Sequence, residues 1–457
     1  MKEGIQMKKI IALLLATMML VAVFASCSST PATESGSNGS ADNGSAVTNN
    51  SGKTGFDNVA SEADFGSEKN AKLKVWGPDA YTELLKKQCD DFKKKFPNQV
   101  GKIEVVVQTE AEAGTQMLSD AEAGADVFGF ANDQLNNLVN AGVIAQIAPK
   151  YAADIQATNL KEAVDACTLA NPKTKKDTLY AMPETGNGYF LVYDKSVVSD
   201  KDAGSFEKVL ADCKKAGKQF IMDAGNGYYS CMFLFTGGLR LTGLEADQIT
   251  QKFNKYDEDQ VVASMKAFST LMHKYTGTFK SLAVSNIPSG FTSTKTRKST
   301  CGAGIDGNWD TAAIKLALGK NFGAAKLPTI NINGKDQQIW SMYGYKSIAV
   351  NAASKYPRTS QVLAYYLASE KCQDERCSKL GWSPTNTASV EKDAVKSDVA
   401  ITALLDQSKF SVAQVNIGKI WDPFGNLGNK LIANDTNPKT YDFKDLLDKT
   451  ISNIVDG

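Results

Sequence analysis

From residue 72 onward, short β-branched or aromatic runs alternate with amphipathic stretches, and that alternation confines the chain to one class of fold. Lys72-Leu73-Lys74-Val75-Trp76 reads as a strand, stopped by Gly77-Pro78. Residues 81–96 then place Leu84, Leu85, Cys89, Phe92 and Phe96 on one helical stripe, which Pro97-Asn98 ends. Residues 102–107 return as a β-branched strand. Ala125-Asp126-Val127-Phe128-Gly129-Phe130 has the pattern of a buried strand; it leads through Asn132-Asp133 into a helix over residues 134–141, closed by Gly142. Further strands are expected at 190–193 and 219–222, with a helix near 205–215 between them. Repeated strand–helix–strand units build mostly parallel sheets covered by helices, an α/β fold. In such sheets ligands lie beyond the carboxyl ends of strands, where loops meet helix N-termini.

The first residues have a different character. An apolar run over residues 10–25 follows Lys8-Lys9, with small residues after it. A basic start, a short apolar core and small residues at the cut describe an export signal over residues 1–26, with Met7 as an alternative start. It is too short for a settled membrane span. Phe24-Ala25-Ser26-Cys27 resembles a bacterial lipobox. That resemblance implies a diacylglycerol on Cys27 and a mature chain outside the cell, anchored by lipid to the outer face of the cytoplasmic membrane. An ordinary secretory signal with an incidental Cys is the alternative. Residues 27–70 read as a disordered Ser/Gly/Asn-rich tether, since almost no large apolar residue precedes Phe56. Ser51-Gly52-Lys53-Thr54 has the end of a phosphate-binding loop, but Val47 stands where that loop needs Gly and no strand or helix flanks it.

Charge and composition exclude several functions. The 51 basic and 50 acidic residues balance to a net +1, with no basic stripe for nucleic acid. After Cys27, an odd number of cysteines is scattered through core-forming segments, which reads as free thiols rather than a disulfide framework. His273, the single histidine, lies on a helical pattern, and no His/Cys cluster offers metal ligands. No Gly-x-Ser-x-Gly elbow appears, and no catalytic residue, metal or cofactor is expected. Gly302-Ala303-Gly304-Ile305-Asp306-Gly307 has dinucleotide-fingerprint spacing, yet the residues before it are too polar for the buried strand that motif must follow. Its glycines fit better inside a strand that another backbone approaches closely.

What remains is aromatic and amide side chains at strand-to-helix junctions. Trp76 ends the first strand; Asp133 stands at the helix after Phe130; Asn187, Tyr189, Tyr228, Tyr229 and Trp309 occupy similar places; and Trp421-Asp422-Pro423-Phe424 precedes a helical stretch. Flat rings suit the apolar faces of sugars, while carboxylates and amides meet their hydroxyls. Each such hydrogen bond nets only about 0.5–1.5 kcal/mol, so several must converge. The plain alternatives are an N-cap for Asp133 and core packing for Trp76 and for one of the adjacent tyrosines.

Several segments carry a family likeness. They are Ala125-Asp126-Val127-Phe128 with Asn132-Asp133-Gln134, Tyr180-Ala181-Met182-Pro183, Leu191-Val192-Tyr193-Asp194-Lys195, Gly304-Ile305-Asp306-Gly307-Asn308-Trp309, residues 345–354, and Gly381-Trp382-Ser383-Pro384-Thr385-Asn386. In them the chain resembles the extracellular solute-binding proteins of sugar ABC importers, nearest the maltose/maltodextrin-binding group. The resemblance implies a two-lobed periplasmic-binding-protein-like α/β fold, each lobe a mostly parallel sheet flanked by helices, with a hinge between. It places residues 71–184 and 328–384 in one lobe and 185–327 and 385–457 in the other. It implies ligand contacts from Asp133, Trp309, Tyr228 or Tyr229, Asn187 and Phe424, and Trp76, Trp421, Asp79 and Tyr81 complete the expected ligand-binding set. Asp79-Ala80-Tyr81 stands where relatives commonly carry a Lys, and Asn187 where they carry a carboxylate. The implied activity is capture of a maltodextrin-like α-glucan by a monomer and delivery to the membrane permease, without catalysis. Rival readings are another oligosaccharide or non-sugar solute, a surface glycan-binding or sensory protein, and a glycan-active enzyme, which would need paired carboxylates across a cleft.

Overall fold

The computed structural model describes residues 54–456 apart from 248, 295–297 and 416, so the export segment, Cys27 and most of the tether lie outside the described residues. A ten-stranded sheet runs through the body. Its order is Phe279–Ser281, Gln219–Met222, Cys301–Gly307, Ala181–Asp194, Ser341–Val350, Val127–Ala131, Ala71–Gly77 and Val100–Val107. Phe322–Ala325 also pairs with Ala181–Asp194, and Ser411–Ala413 with Ser341–Val350. The outer ladders are parallel, as the strand–helix alternation requires. Within this sheet every antiparallel pair involves one of the two long central strands; three small two-stranded sheets elsewhere are also antiparallel.

Those two strands join two halves. Ala181 and Met182 pack in one apolar cluster, whereas Tyr189, Leu191 and Tyr193 of the same strand pack in another. The strand Ser341–Val350 makes the reverse passage, from Met342 in the second cluster to Ile348, Ala349 and Val350 in the first. A third crossing follows Trp382, where Thr185 Oγ1 and Gly186 N both donate to Ser383 O, at 2.8 and 3.1 Å. The central strands approach so closely that a Cβ on Gly186 would lie 2.3 Å from the Tyr343 hydroxyl.

Two expectations need adjusting. Ile330, Ile332 and Ile339 pack in the second cluster, so residues 328–342 belong with that half rather than the first; the exchange comes within the strand Ser341–Val350, not before it. The tether is also shorter than its composition implied. Residues 56–59 and 62–65 form the short helices Phe56–Val59 and Glu62–Phe65, and Phe56 and Phe65 are buried in the first cluster. Phe65 lies 4.8 Å from the Phe96 ring. The Glu68 carboxylate accepts from Arg358 N at 3.1 Å and Thr359 N at 2.8 Å, at the positive end of the helix Pro357–Leu367. Polar composition concealed two anchoring rings and one capping acid.

The glycine motif behaves as its polar approach suggested. Cys301–Gly307 is a fully buried strand, and a Cβ on Gly304 would sit 2.6 Å from Ile221 O. The seven described cysteines are free, six buried and Cys377 partly so. His273 lies on the helix Glu258–Lys274, its Nε2 3.2 Å from Leu431 O.

Candidate functional site

Where the central strands pass between the halves, a cleft of about 520 Å³ opens. One wall comes from junctions of the second half. The strand Cys301–Gly307 ends in the turn Asn308–Asp310, which carries Trp309. A Cβ on Gly307 would come within 2.2 Å of the indole, so only glycine lets that ring fold back over the strand end. Tyr228 opens the helix Gly227–Phe235, whose cap Asn226 accepts from Tyr228 N at 3.0 Å. Trp421 opens the helix Trp421–Ile432. Tyr228 lies 6.2 Å from both Trp309 and Trp421, so the three rings form one aromatic wall.

The opposite wall is polar. The strand Val127–Ala131 runs into the turn Asn132–Gln134, fixed by Tyr345 N donating to Asn132 Oδ1 at 2.9 Å and Asn132 Nδ2 donating to Gln414 O at 2.5 Å. Asp133 is thereby presented to the cleft, where Gln414 Nε2 donates to its Oδ1 at 3.1 Å. Part of its surface remains open, yet burial lifts its carboxyl to about 7 against the hydrogen bonds that hold it down. It is not an N-cap: the helix Leu135–Asn140 has no side-chain cap.

The floor is the hinge itself. Asn187, on the strand Ala181–Asp194, is buried, and its Nδ2 lies 3.3 Å from the Tyr228 hydroxyl. Lys346, on the strand Ser341–Val350, pairs with Glu110 at 3.1 Å. Its ammonium lies 5.6 Å from the Trp309 ring and 5.5 Å from the Trp382 ring, touching both halves at once. Asp310, beside Trp309, is raised to about 6 by burial, against the pull of Lys346. Behind it Asp306 is fully buried and its carboxyl is pushed well up, first by burial and then by Asp310.

The structure therefore brings Asp133, Asn187, Tyr228, Tyr229, Trp309 and Trp421 to one cleft. Tyr228 is the half-buried member of its pair, and Tyr229 is 1% exposed. Four expected residues do not line it. Phe424 is wholly buried with its edge to Phe235, because the stripe of its helix faces the core. Trp76 packs against Phe128 in the first half's core. Tyr81 is buried, receives a bond from Arg376 Nη1 at 2.8 Å and donates to Gln88. Asp79 is exposed outside the cleft. Sequence reasoning missed Glu110, Lys346, Trp382 and Gln414 as lining residues. Lys346 and Trp382 lay inside two segments that carried the family likeness; Glu110 opens the helix Glu110–Ser119 just after the strand Val100–Val107, a junction like the others, whereas Gln414 gave no local signal.

Comparison with known proteins agrees with this architecture. The family model described as bacterial extracellular solute-binding protein matches residues 87–403. A galactooligosaccharide-binding protein of Bacillus subtilis (strain 168) is 25% identical over 390 residues, covering 82% of this chain and 87% of its own. A solved structure described as with acarbose is 25% identical with a TM-score of 0.73, covering 85% of this chain and 99% of its own. The maltodextrin-binding protein MalE1 of L. casei BL23 is 24% identical with a TM-score of 0.67, covering 84% of this chain and 99% of its own, a likeness of fold.

Proposed function

We propose, for a chain that belongs to the bacterial extracellular solute-binding protein family, that it captures an oligosaccharide in the interlobe cleft and hands it to an ABC importer. The observation that carries this reading is the pairing of an aromatic wall, Tyr228, Trp309 and Trp421, with a polar wall around Asp133 in one 520 Å³ cleft. Rings offer the apolar surface on which pyranose faces stack, and amides and carboxyls offer directional partners for hydroxyls. The size suits a short chain of sugars, and the relatives named for galactooligosaccharide and maltodextrin favour a glycan over a peptide. Within glycans, an α-glucan is the first candidate.

In this mechanism nothing is cleaved. Each half supplies part of the site, the sugar bridges the parts, and closure about the central strands favours the form that a permease recognises. A lipid on Cys27 would keep the body at the membrane, close to that partner.

Calorimetric titration of the full chain with maltose, maltotriose, longer maltodextrins and galactooligosaccharides tests the proposal. Saturable binding confined to α-glucans supports the maltodextrin reading, and the trend with length counts the subsites. Binding confined to galactooligosaccharides keeps the capture mechanism and removes the α-glucan assignment. Silence with every glycan removes the sugar reading altogether.

A further inference from the structure

We propose that the cleft is built for an oligosaccharide carrying a basic nitrogen, whose ammonium meets the Asp133 and Asp310 carboxylates beside the Tyr228–Trp309–Trp421 rings. This rests on the reading that the cleft binds a sugar chain, and it narrows the class of that sugar.

The first observation is a charge imbalance. Three carboxyls, Glu110, Asp133 and Asp310, line the cleft against a single cation, Lys346. Lys346 is held by Glu110 at 3.1 Å. Asp133 has the neutral Gln414 amide as its side-chain partner. Among the described residues, no Lys, Arg or His lies within ion-pairing distance of Asp133 or Asp310. Asp306 adds a fourth carboxyl behind the wall, fully buried, with no partner for its Oδ2.

The second observation is the company these carboxyls keep. Asp310 directly follows Trp309 in the turn Asn308–Asp310, and Asp133 lines the same cleft as Tyr228, Trp309 and Trp421. Both carboxyls thus border the aromatic wall. Carboxylate plus ring faces is the combination that recognises ammonium, because the ring quadrupole adds to the charge attraction. Lys346 shows this chemistry at work in the same cleft, its ammonium poised between the Trp309 and Trp382 rings.

The third step is energetic. Closure around a neutral sugar gives these carboxyls hydroxyl donors but no countercharge, so whichever of them is ionised stays uncompensated in the closed cleft. An ammonium on the ligand supplies both the donors and the countercharge. A cleft with spare negative charge also draws a cationic ligand from a distance.

The test compares maltotriose with its mono-6-amino-6-deoxy analogues, one for each ring, by calorimetry on the full chain near pH 8, above the values to which burial lifts Asp133 and Asp310. At least one analogue should bind about ten-fold or more tightly than maltotriose at low salt, with an advantage that shrinks as salt is added. N-acetylation of the same amine should remove that advantage. Asp133→Asn and Asp310→Asn, each checked for native circular dichroism, should narrow the gap between amine and parent sugar, and at least one should close it. Equal or weaker binding by all the amines overturns the proposal while leaving sugar capture standing. An amine advantage that survives in both variants also overturns it. Absence of binding by parent and amines alike defeats the sugar reading itself, a different failure.

Discussion

Asp133 should cost this protein stability, and the cost should depend on pH in a specified direction. Its carboxyl titrates near 7 in the folded chain and near 4 when unfolded. Between those values the native state holds a proton that the unfolded state has released, so stability is fully present below about 4 and falls as pH rises through 7. The whole shift corresponds to about 4 kcal/mol. Asp133 keeps part of its surface in water, so screening reduces the expected effect to about 2 kcal/mol. Asp133→Asn removes the ionisation and keeps the shape. In urea melts the variant should match wild type near pH 4 and exceed it by about 2 kcal/mol near pH 8. A constant difference across that range, or a variant less stable at high pH, would falsify the claim that desolvation of this carboxyl dominates its environment. The same variant should bind sugar more weakly near pH 8, because an acceptor that costs stability is retained for the ligand.

Trp309→Ala should weaken oligosaccharide binding by about 1.5–3 kcal/mol, ten-fold or more, through the lost ring face, with native circular dichroism; unchanged affinity in calorimetry would remove Trp309 from the site. Gly307→Ala puts a methyl within 2.2 Å of that indole and should lower affinity by displacing it; wild-type binding with an unmoved ring would contradict the packing argument. Phe65→Ala empties a fully buried site in the first half and should cost about 3–5 kcal/mol in urea melts, although composition assigned Phe65 to the tether. A loss below about 1 kcal/mol would return residues 56–70 to that tether.

The expected residues that line the cleft share one property: their surroundings are local. Asp133, Tyr228, Trp309 and Trp421 each follow a strand or open a helix, so chain order alone puts them where such sheets bind ligands. Those outside the cleft lining depend on what the far side of a helix meets. Phe424 stands three residues after Trp421, nearly a full turn, yet its side chain turns to Phe235 while Trp421 turns to Tyr228. Tyr81 sits at a strand-to-helix junction as convincing as any other, but Arg376, from a segment far along the chain, claims its hydroxyl. Glu110 opens the helix Glu110–Ser119 and was legible by the same rule, while Gln414 follows only the three-residue strand Ser411–Ala413, which no run in the sequence marks.

The hinge explains why the cleft is charged as it is. Lys346 pairs in register with Thr185 and Ser347 with Pro183, so Glu184 is the extra residue of a bulge where the chain passes between halves. A bulge re-aims its side chain, and Glu184 is buried 3.7 Å from Arg376, itself fully buried. Burial raises the Glu184 carboxyl, Arg376 opposes that, Glu110 adds to it, and Lys346 opposes again. The cleft cation and the buried cation are therefore coupled through Glu110, at the start of its helix, and Glu184, on a crossing strand. A ligand charge placed beside Lys346 is felt at the strands that join the halves. A cationic sugar beside Asp310 would add to the pull that Lys346 already exerts on that carboxyl, and a neutral one would not. The sign of the ligand's charge should then register in closure as well as in affinity, because the same strands carry both the site's floor and the joint.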